Sequence, residues 1–122
     1  MGIGNYTNLS EIMNSMLEAG HGVTLSDMVR EAGNRKLILA SEGEPADQAD
    51  LENAFIALAD IQYRTGMIAL DPENEMEERL IQLYKSGDLA KNGYGGKEGD
   101  SFLRIKWIAL TDKLPVITNI NL

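Results

Sequence analysis

The sequence predicts a single domain of the α+β class that is mainly α-helical. We expect four to five helices in a compact bundle, closed by a short C-terminal β-hairpin. Three observations lead to this expectation: helical spacing of apolar residues over an acidic body at 1–90, a glycine-rich loop at 91–100, and alternating apolar residues in a hairpin segment at 101–122. A chain of 122 residues can form one domain with a hydrophobic core of its own.

The first predicted helix covers residues 8–19. Its apolar residues fall at i, i+3, i+4, i+7 and i+8, which is one helical face: Leu9, Ile12, Met13, Met16 and Leu17. Thr7 or Asn8 can cap its first amides, and Gly20 and Gly22 suit a left-handed end.

The second predicted helix covers residues 24–32 and opens with Thr24 and Asp27 in the positions of a capping box. Gly33 is expected to end it. Its apolar stripe consists of Leu25, Met28, Val29 and Ala32.

Residues 34–41 contain an apolar run at 37–40 that periodicity assigns neither to a strand nor to a helical turn. We favour a helix, because only one of those four residues is β-branched and β-branching disfavours a helix. Pro45 then suits the first turn of the strongest helix, which runs to Thr65 and closes at Gly66. Its wide apolar surface comprises Ala46, Ala49, Leu51, Ala54, Phe55, Leu58, Ala59 and Ile61.

Residues 67–70 read as a short connector or strand. Asp71 and Pro72 then fit the cap and first position of a fourth helix that ends at Gly87. Its expected buried side comprises Met76, Leu80, Ile81, Leu83 and Tyr84. The core of the body is expected to form around Ala54, Phe55, Leu58, Ile61, Leu80 and Leu83.

The glycine-rich segment predicts a flexible loop or hinge. Beyond it, apolar and polar residues alternate over 103–109, which favours a half-buried strand, although a helix begun by Ser101 also places apolar residues on one face. Pro115 then leads into 116–122, whose β-branched residues favour extended structure. These two stretches form the predicted hairpin.

Composition restricts the chemistry of this chain. It has no cysteine, so disulfides, zinc-thiolate sites and thiol nucleophiles are excluded, and its one histidine, His21, excludes a multi-histidine metal site. We expect no cofactor, no metal and no catalytic residue. No apolar run approaches the ~20 residues of a membrane span, and the N-terminus lacks the layout of a signal peptide, so we expect a cytoplasmic protein without membrane contact.

The net charge of −8 is unevenly distributed. Residues 1–90 carry 16 acidic and 6 basic residues, whereas 91–122 carry 3 acidic and 5 basic residues. An acidic body repels a phosphate backbone, so nucleic acid is an unlikely partner. A basic protein surface, or the basic C-terminal part of a second copy, is a better match.

An acidic run surrounds the start of the fourth helix, at Asp71, Glu73, Glu75, Glu77 and Glu78. The spacing does not fit a calcium loop, and carboxylates in a first turn are favoured by the helix dipole. The candidate partner-binding residues are Glu73, Glu75, Glu77, Glu78, Tyr94 and Lys97.

Three functions are compatible with these patterns. The favoured one is a non-enzymatic protein–protein interaction module, an assembly component, adaptor or small inhibitor acting through an acidic helical surface. One alternative is a helix-turn-helix nucleic-acid regulator that uses Arg35 and Lys36. The other is a binder of a small ligand or nucleotide through the glycine-rich loop, although the residues Gly96, Lys97 and Glu98 do not complete a Walker pattern.

Overall fold

The computed structural model describes residues 5–35 and 47–120, and within them the predicted fold class is confirmed. The described chain is mainly α-helical with a small antiparallel sheet. The elements in order are α1 (Asn5–Glu18), β1 (Val23–Thr24), α2 (Leu25–Asn34), α3 (Gln48–Arg64), β2 (Ile68–Asp71), α4 (Glu75–Ser86), α5 (Asp88–Asn92), α6 (Lys97–Phe102) and β3 (Lys106–Ala109).

The helical faces read from the sequence are the ones that form the core. In α1, α2 and α3 the predicted apolar stripes are buried, with Met16 and Ile61 half-buried at the margin and Ala49 exposed. The expected central residues Ala54, Phe55, Leu58 and Leu80 are at most 5 % exposed. Leu83 is half-buried and packs against this core.

Several helix boundaries follow the expected chemistry. Thr24 and Asp27 form the capping box that opens α2, with the Asp27 amide donating to Thr24 Oγ1 over 3.0 Å. Gly20, Gly66 and Gly87 have φ angles of 91°, 78° and 86°, so each ends its helix in the region of the backbone that glycine tolerates best.

Other boundaries differ from the prediction. α1 begins at Asn5, ahead of the caps expected at Thr7 and Asn8. α2 continues through Gly33 and ends at Asn34. A glycine with ordinary helical φ costs stability without ending the helix.

The start of α4 also differs. Asp71 pairs with Lys106 as the last residue of β2, so the sheet takes the residue expected as the helix cap. Asn74 caps the helix three residues later. Met76, expected to be buried, lies in the first turn of α4 and is 52 % exposed.

The glycine-rich segment is largely helical rather than a continuous loop. α5 and α6 occupy most of it, and 93–96 is the short stretch between them. The chain passes so closely here that a Cβ at Gly99 would lie 2.6 Å from the Tyr94 backbone. Glycine at this position therefore allows a close approach between α6 and the preceding turn.

β3 is the central strand of the sheet, which has the order β1–β3–β2. Trp107 faces Val23 on one side and Leu70 on the other. The strand predicted over 103–109 is thus present in shorter form, but its partners are β1 and β2 rather than the residues after Pro115. The residues 101 and 102, which the alternative prediction placed in a helix, complete α6.

Residues 114–120 form no strand. Their apolar contacts come from Leu114, Ile117 and Ile120, every third residue, whereas a strand packs alternate residues. Residues 36–46, which include Lys36, the run 37–40 and Pro45, lie outside the described residues.

Candidate interaction surface

The acidic residues around the start of α4 gather at the N-terminal end of that helix. Asp71 ends β2, a short turn follows, and the first turn of α4 carries Glu75, Glu77 and Glu78. We call Asp71, Glu73, Glu75, Glu77 and Glu78 the acidic end.

The carboxylate of Glu77 and the side-chain amide of Asn74 have local structural roles. Asn74 Oδ1 accepts a hydrogen bond from the Glu77 amide over 2.9 Å, and Glu77 Oε1 accepts one from the Glu73 amide over 2.8 Å. These bonds satisfy amides at the helix start that have no partner within the helix. The helix dipole favours the remaining negative charge there.

Lys106 supplies a positive charge beside the acidic end. Its Nζ lies 2.9 Å from Glu73 Oε1, and both side chains are about half exposed, at 48 % and 58 %. The hydrogen bond to Glu73 and the charge of that carboxylate raise the pKa of Lys106, and Asp71 and Glu77 add to the effect. Exposed pairs of this kind contribute little to stability, because water screens them.

The outer part of the acidic end is not neutralised in this way. Neither Glu75 nor Glu78 forms an ion pair with any residue in the described ranges, and both side chains are exposed. Met76 stands between Glu75 and Glu77 with 52 % of its surface exposed. The acidic end therefore combines free negative charge with a flexible apolar side chain.

Tyr94 belongs to a different part of the molecule. It is half-buried, with its ring centroid 6.0 Å from that of Phe102. Phe102 in turn stacks on Tyr84 at 4.9 Å, and Tyr63 and Trp107 complete the cluster by edge-to-face contacts. Burial, together with the charge of Asp60, raises the pKa of Tyr94.

Asp60 connects this aromatic cluster to the surface of α3. The Tyr84 hydroxyl donates to Asp60 Oδ1 over 2.6 Å, and Arg64 Nε lies 2.8 Å from Asp60 Oδ2. Burial of the ring and the hydrogen bond to Asp60 raise the pKa of Tyr84 far above its ordinary value of 10.0. The phenol therefore keeps its proton and holds α4 against α3.

The structure does not bring the six predicted partner-binding residues together. Tyr84, which marks the aromatic cluster, follows Glu75 by nine residues in α4, or about 14 Å along the helix axis. Tyr94 packs at that far end, and Lys97 is an exposed residue at the start of α6. The four glutamates form one surface, and Tyr94 and Lys97 lie on another.

The alternative sites have limited support among the described residues. Beside Gly96 and Lys97 lies a cavity of about 190 Å³, also lined by Asp88 and Glu98. Ligand pockets usually measure ~300–1,000 Å³, and these carboxylates repel phosphate. Arg35 is an exposed residue ion-paired with Glu31 over 2.7 Å, and the proposed recognition segment after it is outside the described ranges.

His21 is exposed in the bend after α1. Within residues 5–35 and 47–120, no three histidine, aspartate or glutamate side chains are grouped so that they could hold a metal ion. In the same ranges, no helix combines the length and apolar character needed to cross a bilayer.

The sequence reading missed a group of buried polar residues. Ser10, Asn14 and Gln62 are at most 4 % exposed, and their side chains bond to the backbone of residues 114–117. With Glu18, which accepts from the Leu114 amide, we call them the polar clamp. A signal for Gln62 was present, since it continues the α3 stripe of Leu51, Phe55 and Leu58 at helical spacing.

Comparisons with protein-family models, with curated proteins and with solved structures found no match to this chain.

Proposed function

We propose that this protein is a non-enzymatic interaction module whose acidic end binds a basic, partly apolar surface of another protein. The observation that carries the proposal is the exposed Met76 beside two carboxylates, Glu75 and Glu78, that form no ion pair with a described residue. Carboxylates attract and orient a basic partner, and a methionine side chain adapts to its apolar groups.

The charge of the whole chain supports this choice of partner. A net charge of −8 attracts cationic surfaces at a distance and repels nucleic acid. A location in the cytoplasm is part of this proposal.

Synthetic peptides test the proposal directly. One is a fluorescent amphipathic peptide of lysine and leucine with a helical apolar stripe, and the other is a lysine oligomer of equal charge. We expect the E75K/E78K variant to bind both at least about tenfold more weakly than the unmodified chain, a change equivalent to about 1.4 kcal/mol. Fluorescence anisotropy at low and high salt measures the affinities.

The matched control reverses two exposed glutamates elsewhere, Glu11 in α1 and Glu98 in the first turn of α6. E11K/E98K makes the same change in net charge and should keep most of the binding. Met76→Ser should weaken binding of the lysine–leucine peptide and spare the lysine oligomer. Equal losses in the two double variants would mean that net charge alone attracts the peptides, and the proposal would be wrong.

A second copy of the chain is one specific form of basic partner. Its C-terminal part carries the basic excess, including the exposed Lys91, Lys97 and Lys113. Light scattering at two salt concentrations separates this case, because association through the acidic end must weaken as salt rises and must be lost in E75K/E78K.

A further inference from the structure

Residues 114–120 are held to the rest of the molecule in an unusual way. The backbone of 111–120 makes no backbone–backbone hydrogen bond with any described residue. Its bonds run instead to side chains of α1 and α3. The segment is therefore bound as a separate peptide would be, through hydrogen bonds between its backbone and side chains of the helices.

The polar clamp binds both the carbonyl groups and the amide groups of this segment. Asn14 Nδ2 and Gln62 Nε2 each donate to the Pro115 carbonyl over 3.0 Å, and Asn14 also donates to the Leu114 carbonyl over 3.3 Å. Gln62 Nε2 also lies 3.2 Å from Asn14 Oδ1, so the two amides hold each other in place.

The amide groups of the segment are bound as well. Ser10 Oγ accepts from the Ile117 amide over 2.8 Å, and Glu18 Oε2 accepts from the Leu114 amide over 2.6 Å. Pro115 has no N–H to satisfy. Hydrogen bonds to the backbone of a peptide, together with contacts to its spaced apolar residues, are elements of peptide recognition.

The stretch that leads into the segment is loosely attached. Residues 110–113 are exposed, with Leu110 at 58 %, and after the bond from the Leu110 amide to the Met67 carbonyl the chain leaves the sheet. Changing the path of these four residues therefore breaks few contacts. The clamp itself lies on α1 and α3 and does not depend on that path.

We infer that the groove between α1 and α3 accepts residues 114–120 from a second copy of this chain, so that two chains exchange these segments and form a dimer. Exchange recreates every hydrogen bond of the polar clamp, because the same groove meets the same peptide. The remaining costs are the new path at 110–113 and the entropy of association. This inference rests on the clamp and does not depend on the acidic end.

Single introduced cysteines test the exchange. The chain has no cysteine of its own, so every disulfide that forms joins introduced cysteines. Ser10→Cys is placed in one preparation and Ile117→Cys in another. The two are mixed, unfolded in urea, refolded together at high concentration and oxidised. Because residue 10 is fully buried beside residue 117, a disulfide between the two different chains requires that one chain's segment occupy the other's groove.

We expect a covalent heterodimer, identified by mass spectrometry of the linked peptides, and a dimer of the unmodified chain in light scattering after the same refolding. The S10C/I117C double variant refolded at high dilution is the control for geometry and should close the bond within one chain. A mixture of Ser10→Cys and Asn119→Cys is the control for random oxidation, because Asn119 is an exposed residue of the same segment. Its yield of linked chains gives the level of non-specific disulfide formation.

The inference is overturned if the double variant closes internally while the mixed chains give no more linked product than the random control. If the cysteine variants fail to fold, the unmodified chain decides alone, and a strict monomer after refolding at high concentration overturns the inference. A salt-independent dimer that survives E75K/E78K supports exchange, whereas a dimer lost in that variant belongs to the acidic end and contradicts it.

Discussion

Gly99 is a residue that the fold cannot exchange for a larger one. A Cβ at this position would lie 2.6 Å from the Cα and carbonyl oxygen of Tyr94, which are backbone atoms that cannot rotate away. The contact fixes where Tyr94 enters the aromatic cluster. A glycine in a segment predicted to be flexible thus serves close packing.

Gly99→Ala should therefore destabilise the protein by about 1–3 kcal/mol, the usual cost of overpacking. Urea unfolding followed by the fluorescence of Trp107, the one tryptophan of the chain and 1 % exposed, measures the change. Gly95→Ala is the matched control, because nothing lies within 4 Å of a Cβ there. Equal stability of the two variants would show that the turn relaxes freely.

At the scale of elements, α2 shows how a glycine can lie within a helix without ending it. Gly33 precedes the last residue of α2, has no neighbour within 4 Å of an added Cβ and does not adopt a positive φ. The capping box at Thr24 and the buried stripe stabilise the helix well enough to include it. Its cost is the backbone entropy that glycine loses on folding.

Gly33→Ala should consequently stabilise the protein by about 0.5–1 kcal/mol. Thermal unfolding measured by circular dichroism provides the test. Gly87→Ala is the contrasting variant, since its φ of 86° strains any L-residue, and it should lower the melting temperature. A melting temperature lowered by Gly33→Ala would contradict the helical assignment at this position.

The elements that the sequence predicted well are those with local signals. The stripes of α1, α2 and α3 repeat within a few residues, and helix ends at Gly20 and Gly87 depend on one residue each. The pairing of β3 with β1 and β2 joins residues far apart in sequence, so no local pattern selects those partners over residues 116–122.

The sequence predicted one part of the candidate site and not the other. Clustering of the glutamates follows from their spacing, whereas the exposure of Met76 does not. Met76 is four residues before Leu80 and shares its face, but the core ends before the first turn of α4. Periodicity gives the direction of a side chain and not the extent of the core that meets it.

At the scale of the whole molecule, two half-buried phenols couple folding to alkaline pH. Tyr84 has a pKa raised above its ordinary value of 10.0 by burial and by Asp60, and the pKa of Tyr94 is raised by burial. The unfolded chain releases these protons near pH 10 while the folded chain keeps them. Stability is therefore fully present below pH 10 and falls as the pH rises beyond it.

Because both phenols are partly exposed, we expect the loss of stability per pH unit above 10 to be well below the ~1.4 kcal/mol of a fully buried group. Tyr84→Phe should lower stability at neutral pH by about 1–2 kcal/mol, through loss of the bond to Asp60, and should make the alkaline decline shallower. Urea unfolding at several pH values between 8 and about 11.5 measures both effects. An unchanged alkaline slope in Tyr84→Phe would assign the decline to other groups.

The polar clamp also determines how late in synthesis the fold of this chain can be completed. Asn14 and the Pro115 carbonyl are separated by 101 positions, so α1 leaves the ribosome long before the groups that satisfy its buried amide exist. At ~5–20 residues per second, that interval lasts about 5–20 seconds. Until Pro115 is added, the side-chain amides of Asn14 and Gln62 lack the carbonyl that they bind, so the polar clamp can form only after residue 115 has been made.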